Sequence, residues 1–179
     1  MNSRMWVVRV LPLLALVSSA VVAEPDRLME SHNRISAVRH VASGQFESHQ
    51  FPLKAGTTRV TLQVAILNPR GNAQWAAAST VCVQGQAEKD YSCVRFGIYL
   101  DQEAVEVTQF DSPDVSSSEH LELARPLKAG TTATLEIETR SAGAVFTLDG
   151  KPLPTKGLIF KPHSILLACS SATCRYDVR

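Results

Sequence analysis

Two carboxylates stand at i and i+2 in the stretch Leu135-Glu136-Ile137-Glu138. On a β-strand that spacing puts both on one face, roughly 7 Å apart. Carboxyl pairs roughly 5–5.5 Å apart serve retaining glycoside hydrolysis, and wider pairs serve the inverting reaction. A third acid at the next alternate position would strengthen the pattern, but Arg140 is there. Glu136 and Glu138 therefore read as a solvated strand face. A second cluster holds Asp114, Ser116 to Ser118, His120 and Glu122. It has the residue types of a hydrolase triad without a Gly-x-Ser-x-Gly elbow, and proximity along a chain does not assemble a triad. The five histidines (His32, His40, His49, His120 and His163) include no His-x-x-x-His pair. Metal catalysis has no support from them. No phosphate-cradling glycine motif or nucleotide fingerprint occurs, so the sequence calls for no cofactor.

The binding candidates are different residues. Asp111 to Ser118 (DSPDVSSS) is the longest stretch poor in apolar side chains, and so the best candidate for an exposed functional loop. Asp111 and Asp114 within it offer oxygens of the kind Ca²⁺ takes, though a cation wants several more. Aromatic rings are few. Once the leader is set aside, Trp75 is the only tryptophan, and Tyr91, Tyr99 and Tyr176 are the tyrosines. Exposed rings of this kind stack on sugars; a tryptophan in a β-sandwich is more often core. Tyr99 has the opposite phase to Phe96, Ile98 and Leu100. It should therefore share the other strand face with Arg95 and Gly97, and it is the better candidate for a displayed ring.

What must position these residues is an exported chain. Arg4 and Arg9 precede an apolar run, Val10 to Val22, of signal-peptide length, and Val21 and Ala23 supply small residues at a cleavage site. Residues 1–23 are thus expected to be a signal peptide, residues 24–34 an N-terminal arm or short helix, and residues 35–179 one domain. Cleavage removes two of the 18 basic residues and none of the 17 acidic ones, so the mature charge is near neutral. That balance gives no electrostatic case for nucleic acid or an anionic membrane, and no later segment is apolar enough for a membrane helix. Cys82, Cys93, Cys169 and Cys174 are an even set in an exported chain, which favours disulfides over a metal knuckle. The pairing Cys82–Cys93 with Cys169–Cys174 closes two short loops between expected strands.

Strand patterning dominates the rest. Val60, Leu62, Val64 and Ile66 alternate with Thr61, Gln63 and Ala65; Val94, Phe96, Ile98 and Leu100 do the same, and Val105 and Val107 run back from them. Leu121 and Leu123, then Ala133, Leu135 and Ile137, then Ala144, Phe146 and Leu148 continue the period of two. Asp149-Gly150 is a hairpin signal. A last run, Leu158 to Cys169, is broken at Pro162, and Cys174 is expected to return beside Cys169. Short strands spaced this closely, with almost no helical period, predict an all-β antiparallel sandwich of jelly-roll type.

One phrase occurs twice. Pro52-Leu53-Lys54-Ala55-Gly56-Thr57-Thr58 returns letter for letter as Pro126-Leu127-Lys128-Ala129-Gly130-Thr131-Thr132. The apolar strand residues that follow are offset by one position between the copies, which implies strands presenting opposite faces unless a bulge intervenes. With Gly44-Gln45-Phe46 before the first copy and Ala142-Gly143-Ala144-Val145-Phe146-Thr147-Leu148 after the second, the sequence resembles the bacterial pre-peptidase C-terminal domain. The resemblance spans about Gly44 to Leu148. It implies a secreted jelly-roll sandwich; the family usually sits beside a protease, none is present here, and an accessory role within one polypeptide therefore does not carry over. In that family an acidic segment associated with calcium follows the first strand; here Gly71-Asn72-Ala73-Gln74-Trp75 carries no acid.

The sequence thus predicts a non-catalytic binding or accessory module, periplasmic or extracellular, whose partner is a protein or a cell-envelope glycan. The alternative is a lectin-like carbohydrate-binding or carbohydrate-active domain. The ligand-binding candidates are Trp75, Tyr91, Tyr99, Asp111 and Asp114.

Overall fold

The structure, a computed structural model, describes residues 29–31, 34–87, 89–99, 104–111, 119–121, 123, 126–141, 143–154 and 160–179. Residues 1–23, expected to be a signal peptide, Asp114 with the serine run, and Glu122 lie outside these residues. The described chain is all β. In chain order the strands are β1 Met29–Ser31, β2 Arg34–His40, β3 Phe46–Pro52, β4 Arg59–Pro69, β5 Ala77–Gln84, β6 Tyr91–Ile98 and β7 Ala104–Asp111. They continue as β8 Glu119–Leu121, β9 Leu127–Lys128, β10 Ala133–Arg140, β11 Gly143–Leu148, β12 Lys151–Pro152, β13 Ser164–Ser170 and β14 Ala172–Val178. Two antiparallel sheets form a sandwich. The first has the order β1-β2-β14-β4-β10-β11-β12 and the second β3-β13-β5-β6-β7-β8, with β9 paired to β7. Met29–Ser31, expected in a loose arm or helix, is instead an edge strand on β2.

The alternating residues fill the space between the sheets. Val60, Leu62, Val64 and Ile66 of β4 and Leu135 and Ile137 of β10 meet Val81, Val83, Val94, Phe96 and Val107 of the second sheet in one buried cluster. Burying a side chain of this size contributes roughly 1.5–3 kcal/mol, and the period of two dictates which face of each strand does so.

The repeated phrase gives the same turn twice. Thr57 N donates to Lys54 O and Thr131 N to Lys128 O, at 3.1 and 3.0 Å. Gly56 and Gly130 both have φ of 82°, which only glycine adopts without strain. The strands that follow do not present opposite faces, as the offset had implied. β4 and β10 are antiparallel neighbours, and Val60↔Ile137, Leu62↔Leu135 and Val64↔Ala133 all face one core. The extra residue, Arg59, opens β4 and pairs with Glu138 of β10. Each turn also bonds the far end of the other strand: Thr139 N donates to Thr58 O, and Gly130 N to Ile66 O. The repeat is therefore a local two-fold arrangement around one strand pair.

Both expected disulfides are formed. Cys82–Cys93 joins directly opposed residues of β5 and β6 with Cα atoms 4.0 Å apart. Cys169–Cys174 differs from the expected hairpin. β13 belongs to the second sheet and β14 to the first, so the bridge links the two sheets where the chain turns at Ser171, a residue with φ of 47°. Such bonds persist in oxidising compartments, in keeping with an exported chain. Among the described residues no helix is long and apolar enough to cross a membrane.

A second tie crosses the sandwich nearby. Tyr176 of β14 is fully buried; its hydroxyl accepts from Ser79 Oγ at 2.9 Å and donates to Ala168 O at 2.6 Å, both in the second sheet. Burial pushes its pKa above the ordinary value, against smaller opposing effects of the Ser79 hydrogen bond and the Arg39 charge. A raised folded pKa means full stability below about pH 10, where the tyrosine of the unfolded chain is also neutral. Above that pH the unfolded chain ionises first and stability falls. Urea unfolding followed from about pH 8 to 11 is expected to show this loss at up to about 1.4 kcal/mol per pH unit from this residue. Tyr176→Phe is expected to flatten that part of the profile relative to wild type. Equal slopes for both proteins would refute the assignment.

Candidate functional site

The outward face of the second sheet gathers the exposed rings. Strand registers align its residues in rows. Phe46, Ser170, Ala78, Gly97 and Glu106 form one row across β3, β13, β5, β6 and β7. Ser48, Ala168, Thr80, Arg95, Thr108 and His120 form the next, extended to β8. The middle of the first row is small: Ser170, Ala78 and Gly97. Phe46 at its edge is 58% exposed, while Tyr99, just past the end of β6, is 40% exposed. From Phe46 to Gly97 is three strand spacings, roughly 14 Å.

Tyr99 and Arg95 border the space over Gly97. A Cβ placed there would sit 3.8 Å from the Tyr99 ring and 4.0 Å from Arg95 Nε. The expectation that Tyr99 shares a face with Arg95 and Gly97 holds. Glu106 and His120 stand beside them, with His120 Nδ1 3.7 Å from Glu106 Oε2. These two also line a groove of about 280 Å³ along β7 and β8, with Val105, Val107, Leu121 and Leu123.

Trp75 stands at the same end, just ahead of β5, and is 47% exposed. This corrects the expectation of a core tryptophan. The turn that presents it is built locally. Asn72 Oδ1 accepts from the backbone N–H groups of Gln74 and Trp75, both at 2.9 Å, and Asn72 Nδ2 donates to Ser43 Oγ at 3.0 Å. Gly71 lies so close beneath this turn that a Cβ would meet Ala77 N at 2.9 Å and Trp75 O at 3.0 Å. Phe46, Trp75 and Tyr99 are thus three displayed rings around one end of one sheet.

The other expected residues lie elsewhere. Tyr91 is at the opposite end of this face, half-buried and edge-on to Phe110 with ring centroids 6.4 Å apart. Asp111 is not in an exposed loop. It closes β7, points between the sheets and is 8% exposed, because its register opposite buried Ser92 fixes the inward phase. Glu136 and Glu138 occupy the outward face of the first sheet. Thr61 and Thr147 flank Glu136, Arg59 and Val145 flank Glu138, and Arg140 Nε lies 3.2 Å from Glu138 Oε1. No group of three or more His, Cys, Asp or Glu able to hold a metal stands together among the described residues. Phe46 and Arg95 were missed as site residues. In the sequence Phe46 stood out only as part of the stretch before the first Pro-Leu-Lys phrase; the register shows it facing out.

No protein-family model matches the sequence, and no curated protein matches it. Solved structures do match the fold. A Crh5 transglycosylase superposes with a TM-score of 0.52 at 11% identity, over 80% of this chain and 70% of that one. A tetrameric galectin from Cinachyrella sp., a ball sponge, gives 0.50 at 10% identity over 72% and 94%. A glycosidic hydrolase gives 0.50 at 12% identity over 84% and 79%. At such identities the likeness is one of fold: the protein is a jelly-roll β-sandwich.

Proposed function

We propose that this protein is a non-catalytic glycan-binding module of the cell envelope or its surroundings, and that the outward face of the second sheet takes the ligand. The observation that carries this reading is the display of Phe46 and Tyr99 on one outward face with a floor of Ser170, Ala78 and Gly97, and of Trp75 in the exposed turn at that end. Sugars present apolar faces edged by hydroxyls. Flat rings receive the first, and convergent polar side chains the second. Arg95, Thr80, Thr108, Glu106 and His120 supply donors and acceptors in the adjoining row, and the planar Arg95 fork suits paired hydroxyl oxygens. A protein partner would call for a larger continuous apolar patch than separated rings with polar residues between them.

The fold neighbours support the reading without carrying it: a galectin, a transglycosylase that has been solved in complex with NAG, and a glycosidic hydrolase. Glu136 and Glu138 belong to the other sheet, away from these rings, which favours binding over hydrolysis.

A glycan array is expected to show retention of one sugar class by the wild type. Titration of that sugar is expected to change the fluorescence of Trp75, the only tryptophan outside the leader. Arg95→Ala and Tyr99→Ala are each expected to weaken binding by about tenfold or more, the loss of one well-placed contact. Glu136→Gln is expected to bind as wild type. Silence across the array, or full binding by both face variants, would sink the proposal.

A further inference from the structure

Four oxygen atoms on the inward face of β6 and β7 have no hydrogen-bond partner although they are buried: Ser92 Oγ, Gln109 Oε1 and both carboxylate oxygens of Asp111. Their residues are 0%, 2% and 8% exposed. Ser92 and Asp111 are directly opposed across the two strands, and Gln109 precedes Asp111 by two on the same face. Directly opposed residues have Cβ atoms roughly 5 Å apart, and the next residue on that face is roughly 7 Å along the strand. The four oxygens therefore stand at neighbouring positions on one inward face.

Among the described residues Asp111 is the one buried carboxylate, and the other buried polar side chains are Ser79, Ser92, Gln109, Ser164, Ser171 and Thr173. A buried carboxylate without a donor or a cation is among the least favourable groups a fold can hold, and native structures pair such charges or give them a metal. A trapped water could satisfy the serine and the amide, but it would leave the charge uncompensated. The set is all oxygen: one carboxylate, one amide carbonyl and one hydroxyl.

We propose that Asp111, Gln109 and Ser92 form a calcium site inside the sandwich. Ca²⁺ accepts carboxylate, amide and hydroxyl oxygens at roughly 2.3–2.6 Å and tolerates irregular geometry, with water filling the remaining positions. Water reaches it through the small exposed margin at Asp111. A single carboxylate places the affinity in the weak class of extracellular modules, on the order of 10⁻⁴–10⁻³ M. The bound ion neutralises the buried charge and pins β7 to β6. The outward faces of these same strands carry Arg95, Thr108 and Glu106, so the ion stiffens the sheet beneath the proposed glycan face without touching it. The site stands whether or not that face binds sugar.

The test uses the disulfide-bonded protein, stripped with a chelator and titrated with CaCl₂, followed by thermal unfolding and calorimetry. At about ten times the dissociation constant, the melting temperature of the wild type is expected to rise by roughly 3–6 °C. Asp111→Asn is expected to melt higher than the stripped wild type and to lose the response to calcium. Ser92→Ala and Gln109→Leu keep the charge but remove one ligand each; both are expected to move the titration midpoint to higher calcium by several-fold. A wild type indifferent to calcium overturns the site. So does an equal shift from NaCl at matched ionic strength, or an Asp111→Asn protein that responds like wild type. Should Asp111→Asn fail to fold, unchanged midpoints in both Ser92→Ala and Gln109→Leu overturn it equally.

Discussion

Tyr176→Ala is expected to destabilise the protein by roughly 3–5 kcal/mol, the range for truncating a fully buried aromatic side chain. Single domains have roughly 5–15 kcal/mol in total, so the variant should be near the edge of folding. Two losses combine. The ring fills space between the sheets beside Ala37 and Leu167. Its hydroxyl is also the point at which β14 is hydrogen-bonded to β5 and β13, through Ser79 and Ala168. Tyr176→Phe separates the two contributions. It keeps the ring and leaves Ser79 Oγ without its acceptor, at a cost of roughly 1–3 kcal/mol. Urea unfolding followed by circular dichroism measures both. A Tyr176→Ala protein within 1 kcal/mol of wild type would show that the sheets are held together elsewhere.

The second large effect is expected from the bridge between the sheets. The double variant Cys169→Ala/Cys174→Ala should lose roughly 2–4 kcal/mol. Restricting the unfolded chain accounts for about 2 kcal/mol at a sequence separation of 5. The remainder comes from two sulfurs packed in the core, since Cys169 is 1% exposed and Cys174 0%. Cys82→Ala/Cys93→Ala opens a longer loop, one the disulfide closes at a separation of 11, for which chain restriction alone gives about 3 kcal/mol. The two variants should differ in where the damage appears. Cys82 and Cys93 lie in the outward row next to Thr80 and Arg95, so their loss should also weaken ligand binding, whereas loss of the bridge between the sheets should leave binding intact in the fraction that folds. Guanidinium unfolding of each double variant, with a binding assay alongside, checks this. Equal effects on binding would refute the division.

Much of the fold was legible because strand alternation is a local property. Val60 to Ile66 and Val94 to Ile98 show their buried faces in the period of two, and the structure buries those faces. Asp149-Gly150 gave its hairpin for the same reason: the turn is decided by φ at those two residues, and both are positive. The cysteine pairing followed from short loops in an exported chain. Other features failed where the deciding contact is remote. Cys169 and Cys174 looked like a hairpin pair, since nothing between them records that the chain changes sheets at Ser171. Asp111 looked like the start of an exposed loop, since its neighbours in sequence are polar. Its burial comes from pairing with Ser92, 19 residues earlier in the chain.

The twice-used Pro-Leu-Lys-Ala-Gly-Thr-Thr phrase marks the same division. By itself the sequence determined two identical turns, because glycine at one position and a backbone bond three residues apart are sufficient for each. It also determined the sandwich class and the phase of Tyr99 with Arg95. Only the tertiary structure decided that the two turns flank one strand pair, that Phe46 and Trp75 come to the same end of a sheet as Tyr99, and that Asp111 joins Ser92 and Gln109 inside. The physical reason is that alternation fixes which face a side chain occupies along one strand. Which strands become neighbours, and in what register, depends on how all the apolar faces are buried together.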